Sequence, residues 1–207
     1  MYALVENGQI TKYFSYPKGF TLNDNQYPAA VFTKWTQSER EAIGLYKVVT
    51  DATNYKDPNY YINTNEQYSF ANNQVTKSWG TATARQLTDS LWTQQDSDDG
   101  LLPSDKSVGD VKVEGLKTEK KRIVKQQASG LLAPTDWYVV KATEVADYSV
   151  PSNITTFRAD VRTKSNEMET AIDNAADVDA LKALYEYTEQ EDGTITRPLG
   201  EFPKEVI

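Results

Sequence analysis

The sequence predicts an α+β protein: a small antiparallel β-rich amino-terminal domain, followed by an α-helical region that ends in a closing β-hairpin. Two observations predict this class. Residues 1–85 hold 15 of the 23 aromatic residues of the 207-residue chain, in short β-prone runs separated by turn residues. Residues 111–207 carry apolar side chains at the spacings typical of amphipathic helices. We therefore predict a β-rich domain at 1–85, a linker or exposed loop at 86–110 and a helical domain at 111–207.

The first two predicted strands form a hairpin. Tyr2 to Val5 and Gln9 to Phe14 are both β-prone runs, and Asn7-Gly8 lies between them. Both central residues of a type I′ turn need a positive φ, which Asn and Gly adopt readily. The dipeptide therefore predicts a tight antiparallel connection.

A short helix interrupts the predicted strands. Thr36 and Glu39 have the spacing of a capping box and Gly44 provides a stop, so we predict a helix from about Gln37 to Ile43. The remaining strands are short and joined locally, which favours an antiparallel meander. They cover Leu45 to Thr50, Tyr60 to Ile62, Gln67 to Phe70 and Gln74 to Trp79.

Helical patterns surround and follow the predicted linker. We predict a helix at Thr81 to Trp92 and another from about Val111 to Leu132, which Pro134 ends because proline disfavours helix at the preceding residue. The clearest helix begins near Pro151, and it carries an apolar stripe made of Ile154, Phe157, Val161, Met168 and Ile172.

The last predicted elements are a capped helix and a hairpin. Asp177 is placed to cap a short helix that presents Val178 and Leu181 on one side. The polar turn at Glu191-Asp-Gly193 separates two β-prone runs, so it predicts a closing hairpin.

Composition excludes several kinds of chemistry. The chain has no His and no Cys, so it cannot form a Ser-His-Asp triad, a cysteine nucleophile or the usual zinc, haem and iron–sulfur sites. Calcium could still bind through oxygen ligands, and Asp96 to Gly100 superficially resembles a calcium loop. Aligning Gly100 with the sixth loop position places Lys106 where a bidentate glutamate is required. We therefore predict no metal site and no cofactor.

The two halves of the chain differ in charge. Residues 1–85 carry 7 acidic and 8 basic side chains, whereas residues 86–207 carry 23 acidic and 14 basic ones. The acidic half disfavours duplex nucleic acid and anionic membranes as partners, because both repel negative charge. No apolar run approaches the roughly 18 residues of a membrane span. We predict a protein that binds neither nucleic acid nor membrane.

The front half contains a group of tyrosines with two interpretations. Tyr55, Tyr60, Tyr61 and Tyr68 lie among Asn and Asp residues, a mixture that can stack against and hydrogen-bond a sugar or a protein partner. Tyrosine on an antiparallel sheet is more often a cross-strand packing residue, and we favour that interpretation.

One segment of the back half carries a family pattern. Thr135-Asp136-Trp137 follows a predicted helix, Pro151 begins the next one, and Phe157-Arg158 to Arg162 lies within it. This pattern resembles bacteriophage tail-fibre assembly and tail-assembly-chaperone-like proteins. The front, from Tyr2 to Gly44, is similar to the amino-terminal part of related proteins of marine phages.

The resemblance implies a protein without catalytic activity that helps fold or attach tail fibres. Its partners would be other phage tail or fibre proteins, with self-association left open. It would lie in the virion tail, or in the host cytoplasm during assembly. We expect Trp137 to pack between the two long helices, with Thr135 or Asp136 capping the turn. Arg158 and Arg162 would pair with Asp136 or Glu167, or with a partner; we favour an internal role.

Three functions follow in order of preference. The first is a non-enzymatic tail or fibre-associated protein that acts by protein–protein binding. The second is a receptor- or carbohydrate-binding module of the virion, which an exposed row of three or more aromatic rings would support. The third is a hydrolase built from carboxylates alone, which would need two of them facing each other across a cleft.

Overall fold

The computed structural model describes residues 1–204, and it has the predicted α+β class. A β-rich region comes first, a helical region follows, and a β-hairpin at 188–196 closes the chain. The chain divides into two compact units, the first covering Met1–Thr83 and the second beginning at Ala84.

The first unit is built on a five-stranded curled sheet with strand order β2-β1-β5-β8-β7. The strands of this unit, inside and outside that sheet, are β1 (Tyr2–Glu6), β2 (Gln9–Phe14), β3 (Phe20–Leu22), β4 (Asn25–Tyr27), β5 (Leu45–Thr50), β6 (Tyr61–Ile62), β7 (Gln67–Ala71) and β8 (Gln74–Ser78). Strand β9 (Thr83–Ala84) lies where the first unit ends in the sequence. Two short helices, α1 (Val31–Lys34) and α2 (Gln37–Ala42), precede β5.

The expected antiparallel meander is wrong at one pair. Strands β5 and β8 are parallel, with Val48 opposite Val75, whereas the pairs β1–β2, β1–β5 and β7–β8 are antiparallel. Because two parallel neighbours need a long crossover, residues 51–66 carry the chain away from β5 before β7 and β8 return as a hairpin. This places β7 at an edge, and the curl brings it into contact with the other edge strand, β2.

The local signals of the front are confirmed. Asn7 and Gly8 have φ of 51° and 78°, as the hairpin requires. The Thr36 hydroxyl accepts from the Glu39 N–H at 3.3 Å, and the Glu39 carboxylate accepts from the Thr36 N–H at 2.7 Å. Gly44 follows the C-cap residue of α2 and has a φ of 76°, the left-handed conformation in which helices commonly end. These contacts fix the entry and exit of α2.

The two faces of the sheet bury different clusters because side chains alternate along each strand. Leu4 faces a cluster that includes Phe14, Phe32 and Leu45, beside α1 and α2. Ala3 and Val5 face the opposite cluster, which the curl of the sheet encloses together with Val75, Ile10, Tyr46, Val48 and Phe70.

The second unit is mainly helical. Its helices are α3 (Gln94–Asp98), α4 (Leu116–Leu132), α5 (Asp136–Glu144), α6 (Ser152–Asn174) and α7 (Val178–Ala183), with a 3-10 turn at Ala133–Thr135. Its short strands are β10 (Ser90–Leu91), β11 (Val111–Val113), β12 (Thr188–Glu189) and β13 (Ile195–Thr196). The segment 86–110, predicted as a linker or exposed loop, carries β10 and α3 and belongs to this unit.

Two predicted helical stretches are corrected. Thr81 to Trp92 is not helical and contains β9 and β10, and the helix predicted from Val111 begins only at Leu116. The start of α4 is set by a distant segment. The N–H groups of Gly115, Leu116 and Lys117 donate to Asp89 Oδ1 at 2.7 Å and to the carbonyl oxygens of Gln86 and Leu87 at 2.9 and 3.0 Å. These are donors that a helix leaves unpaired at its first turn.

The predicted stripe of α6 is confirmed as its buried face. Ile154, Phe157, Val161, Met168 and Ile172 are all buried, and Phe157 and Val161 pack with Ala128 of α4. Asp177 caps α7 by accepting from the Ala180 N–H at 2.7 Å, as predicted. Within residues 1–204, no helix combines the length and apolar content that crossing a bilayer requires.

Candidate functional site

The junction between α4, α5 and α6 is held by one buried guanidinium. Arg158 Nη1 donates to the Leu132 carbonyl oxygen at 3.0 Å, to Asp136 Oδ1 at 2.8 Å and to the Thr135 hydroxyl. The Thr135 hydroxyl in turn donates to the Leu132 carbonyl at 2.7 Å. The contact with Asp136 agrees with the internal role predicted for Arg158. Together these bonds fix where α4 ends and α5 begins.

The other residues of the family pattern have separate roles. Pro151 is the N-cap residue of α6, and Phe157 is buried in its core. Arg162 is exposed and donates to the Arg158 carbonyl at 3.2 Å, which is a backbone partner and neither of the predicted carboxylates. Arg162, Arg158 and Asp136 line a shallow groove of about 490 Å³.

Trp137 does not pack between the long helices, and that expectation is wrong. It is 51% exposed, whereas Thr135, two residues earlier, is buried at the junction. Successive helix residues point about 100° apart, so fixing Thr135 and Asp136 against Arg158 turns the next side chain outward. Thr135 occupies the N-cap position of α5 without a side-chain capping bond, and the Asp136 carboxylate binds Arg158, so neither of the two predicted residues caps α5.

Helix α5 carries apolar side chains that nothing in the described structure buries. None of its nine residues is buried, and Trp137, Val139 and Val140 are all exposed, as is Val145 at its end. Lys141 lies over the Trp137 ring with its Nζ 5.7 Å from the centroid. We call Trp137, Val139, Val140 and Val145 the α5 surface.

The four predicted contact tyrosines separate into two pairs. Tyr60 and Tyr61 are only 6% and 5% exposed, so they belong to the interior of the first unit and not to a contact surface. Tyr55 is 44% exposed, and its ring lies 4.8 Å from that of Trp79. Tyr68 is half-buried, and its ring lies 4.8 Å from that of Tyr13, which is 45% exposed.

These rings belong to one continuous surface, which we call the aromatic surface: Tyr13, Tyr55, Tyr68 and Trp79 with Glu66 and Lys77. Lys77 joins the two ring pairs, because its Nζ lies 5.7 Å from the Tyr68 centroid and 4.7 Å from the Trp79 centroid. Tyr68 and Lys77 are cross-strand partners in β7 and β8, so their side chains share a face of the sheet.

A carboxylate lies at the centre of the aromatic surface. Glu66 binds Lys77 Nζ at 2.9 Å and accepts from the Tyr68 hydroxyl at 2.8 Å. Hydrogen bonds from Lys77 and then Tyr68 hold the pKa of Glu66 below its usual range. The same carboxylate raises the pKa of Lys77. Burial, and next the bond to Glu66, raises the pKa of Tyr68. Near neutral pH the site therefore contains a charged pair and a protonated phenol.

Much of this surface carries no signal in the sequence patterns. Tyr13, Trp79, Glu66 and Lys77 belong to no motif of the sequence. Tyr13 comes from β2, and only the curl of the sheet brings it to Tyr68.

The acidic segment around Asp96 has a structural role. Asp96 accepts from the Thr93 N–H at 2.9 Å and binds Lys112 Nζ at 2.6 Å. These contacts, Lys112 first, lower the pKa of Asp96 to about 2. Among residues 1–204, no three acidic side chains come together as a group that could hold a metal ion.

The chain matches no protein-family model, no curated protein and no solved structure. The resemblance to phage tail-fibre assembly proteins therefore stays a prediction.

Proposed function

We propose that this chain is a non-enzymatic binding protein of a bacteriophage tail or tail fibre, and that it docks a partner protein through the α5 surface. The observation that carries the proposal is the exposure of Trp137, Val139 and Val140 on one short helix. The assignment to a phage tail rests on the resemblance of Thr135-Asp136-Trp137 and its following helix.

The exposed side chains are the kind that interfaces bury. A helix with apolar residues normally covers them against its own protein, so an uncovered set marks an interaction surface. Tryptophan is among the residues most enriched at the energetic centre of protein interfaces. Trp137 and Val140 lie three residues apart and therefore share a helix face, which suits a helix laid into an apolar groove.

The anchoring of α5 supports the same proposal. Arg158 ties its first turn to the end of α4 through Leu132, Thr135 and Asp136. A helix already held in place loses less conformational freedom when a partner binds it. We therefore expect the partner to recognise α5 as a preformed helix, in the virion or in the host cytoplasm during assembly.

The first experiment locates the protein. Mass spectrometry of purified phage particles, beside lysate of infected cells, would measure its copy number relative to the other tail proteins. A fixed stoichiometry in particles supports a tail component, and presence in lysate alone supports an assembly factor. Absence of any association with tail or fibre proteins in both samples would reject the proposal.

A pair of matched variants tests the α5 surface. Val140→Glu places a charge on the exposed helix, whereas Val108→Glu makes the same change at an equally exposed site outside it, at 52% and 47% exposure. We expect Val140→Glu to abolish tail or fibre association and Val108→Glu to retain it. Equal association of the two variants would contradict docking through α5. Light scattering on the free protein shows whether the partner is a second copy.

A further inference from the structure

We infer that the aromatic surface of the first unit binds a neutral glycan through the faces of its pyranose rings. This inference is independent of the proposed function, because it uses none of the residues of the α5 surface. It rests on three features of the surface: the exposure of two of its rings, Tyr13 and Tyr55, the arrangement of all four rings around a polar centre, and the absence of net charge at that centre.

The rings are placed to stack against a ligand. Tyr13 and Tyr55 are each more than two-fifths exposed, and each contacts a half-buried ring behind it, Tyr68 or Trp79. The inner rings are fixed by the strands that carry them, since Tyr68 lies in β7 and Trp79 directly follows β8. Aromatic faces are electron-rich, so they attract the weakly positive C–H groups of a sugar ring.

The polar centre matches sugar hydroxyls. Glu66 accepts from Tyr68 through one oxygen and from Lys77 through the other, and the Trp79 side chain also donates to this carboxylate. A carboxylate has about four acceptor positions in all, so at least one stays open to a ligand. Lys77 has three N–H donors, and a phenol oxygen can also accept. The site therefore offers donors and acceptors side by side, between two pairs of rings. Each sugar hydroxyl can donate and accept, so two neighbouring hydroxyls can bind the donors and the acceptors of this site at the same time.

The charge of the centre selects a neutral ligand. The ion pair between Glu66 and Lys77 leaves no net charge between the rings, so nothing there favours a uronic or sialic acid. A proline-rich peptide also stacks on aromatic grooves, but its carbonyl groups only accept hydrogen bonds. A peptide covering the exposed Glu66 carboxylate would displace water from its open acceptor position and supply no donor in return, which is unfavourable.

Saturation-transfer NMR on the full chain tests the inference. The probes are cellohexaose, maltohexaose and mannohexaose as neutral oligosaccharides, trigalacturonate as an acidic one, and a proline decamer as the peptide. We expect transfer to the ring C–H protons of at least one neutral oligosaccharide and none to the other two probes. Absence of transfer to every neutral oligosaccharide would overturn the inference, and binding of the proline decamer alone would assign the surface to peptides.

Calorimetry on variants then assigns the binding to these residues. Tyr55→Ala removes one exposed ring and should weaken binding about tenfold, a typical loss for a single aromatic stacking contact. Tyr55→Phe keeps the ring and should bind within about twofold of the wild type, a change of less than about 0.5 kcal/mol. Tyr16→Ala, at an exposed tyrosine outside the surface, should have no effect. Equal losses in Tyr55→Ala and Tyr16→Ala would contradict the assignment.

Glu66→Gln tests the selectivity for neutral over acidic oligosaccharides, and it changes none of the aromatic rings. It leaves the ammonium of Lys77 without its carboxylate, so the centre becomes positive. We expect this variant to gain binding of trigalacturonate. Retained discrimination against trigalacturonate would contradict the role given to the ion pair.

Discussion

Arg158 and Asp136 form an ion pair across the junction of two helices, with Nη1 and Oδ1 2.8 Å apart. The two partners are in different surroundings, because Arg158 is buried and the Asp136 side chain is 61% exposed. The guanidinium also donates to the Leu132 carbonyl at the end of α4 and to the hydroxyl of Thr135, which precedes α5. The pair is thus the outer part of a buried network, and its two members should differ in their importance for stability.

We expect Arg158→Met to destabilise the protein by about 1–3 kcal/mol, because it leaves the buried Thr135 hydroxyl without a donor and takes one of two donors from the Leu132 carbonyl. Asp136→Asn should lower the free energy of unfolding by less than about 1 kcal/mol, since exposed ion pairs contribute little. Urea unfolding followed by circular dichroism measures both. Equal losses in the two variants would show that the ion pair itself, and not the buried network, stabilises the junction.

Truncation of Trp137 and of Phe157 should differ strongly in its cost to stability. Trp137→Ala should change the free energy of unfolding by less than about 1 kcal/mol, because the ring is half exposed and fills no core space. Phe157→Ala should lower it by about 3–5 kcal/mol, because Phe157 is buried against Ala128 and Val161. Thermal unfolding of the two variants gives the comparison. A large loss in Trp137→Ala would mean that the ring is a core residue.

Gly44 and Gly8 provide a matched test of close packing. Both have positive φ, but an added Cβ at Gly44 would lie 2.3 Å from the Val5 carbonyl oxygen, whereas at Gly8 it would meet open space. Gly8→Ala should lower the free energy of unfolding by about 1–2 kcal/mol, from the left-handed backbone alone. Gly44→Ala adds a backbone clash and should lower it by about 2–5 kcal/mol. Similar unfolding midpoints in urea would contradict the clash.

Asp96 should remain ionised to low pH. Its pKa of about 2 lies below the ordinary 3.8, because Lys112 and Thr93 bind the charged form. A lowered pKa stabilises the folded state above pH 3.8, and this contribution disappears as the pH falls towards 2. Carbon-detected NMR titration should give the low value, and Lys112→Met should raise it towards 3.8. The pKa of Asp192, which Thr194 lowers, serves as the control and should not move. An unchanged Asp96 value in Lys112→Met would exclude Lys112 as the main cause.

Local signals predicted the elements better than their arrangement. The Asn7-Gly8 turn, the Thr36 capping box and the stripe of α6 each depend on neighbouring residues, so the sequence contains the whole physical cause. The parallel pairing of β5 with β8 depends on a crossover of more than a dozen residues, which no local pattern specifies. The late start of α4 has the same origin, because Asp89 lies 26 residues before the N–H it accepts from.

The candidate surfaces could be predicted only in part, because they too depend on contacts between residues that are far apart in the sequence. Composition identifies Tyr55 and Tyr68, but it does not separate them from the buried Tyr60 and Tyr61. Tyr13 joins them only through the curl of the sheet, which depends on contacts between strands far apart in sequence. The outward orientation of Trp137 likewise follows from the bonds of Arg158, a residue 21 positions later.

The bonds between residues 86–89 and the start of α4 close a loop without a covalent cross-link. Both ends of this loop are held, at Asp89 by the N–H of Gly115 and at Gln86 by the N–H of Leu116. Lys112 adds a second tie inside the loop, to Asp96. An unbroken chain between residues 100 and 109 is consequently not needed to hold the start of α4 against residues 86–89. A protease cut or an inserted peptide there should leave α4 with its first turn intact.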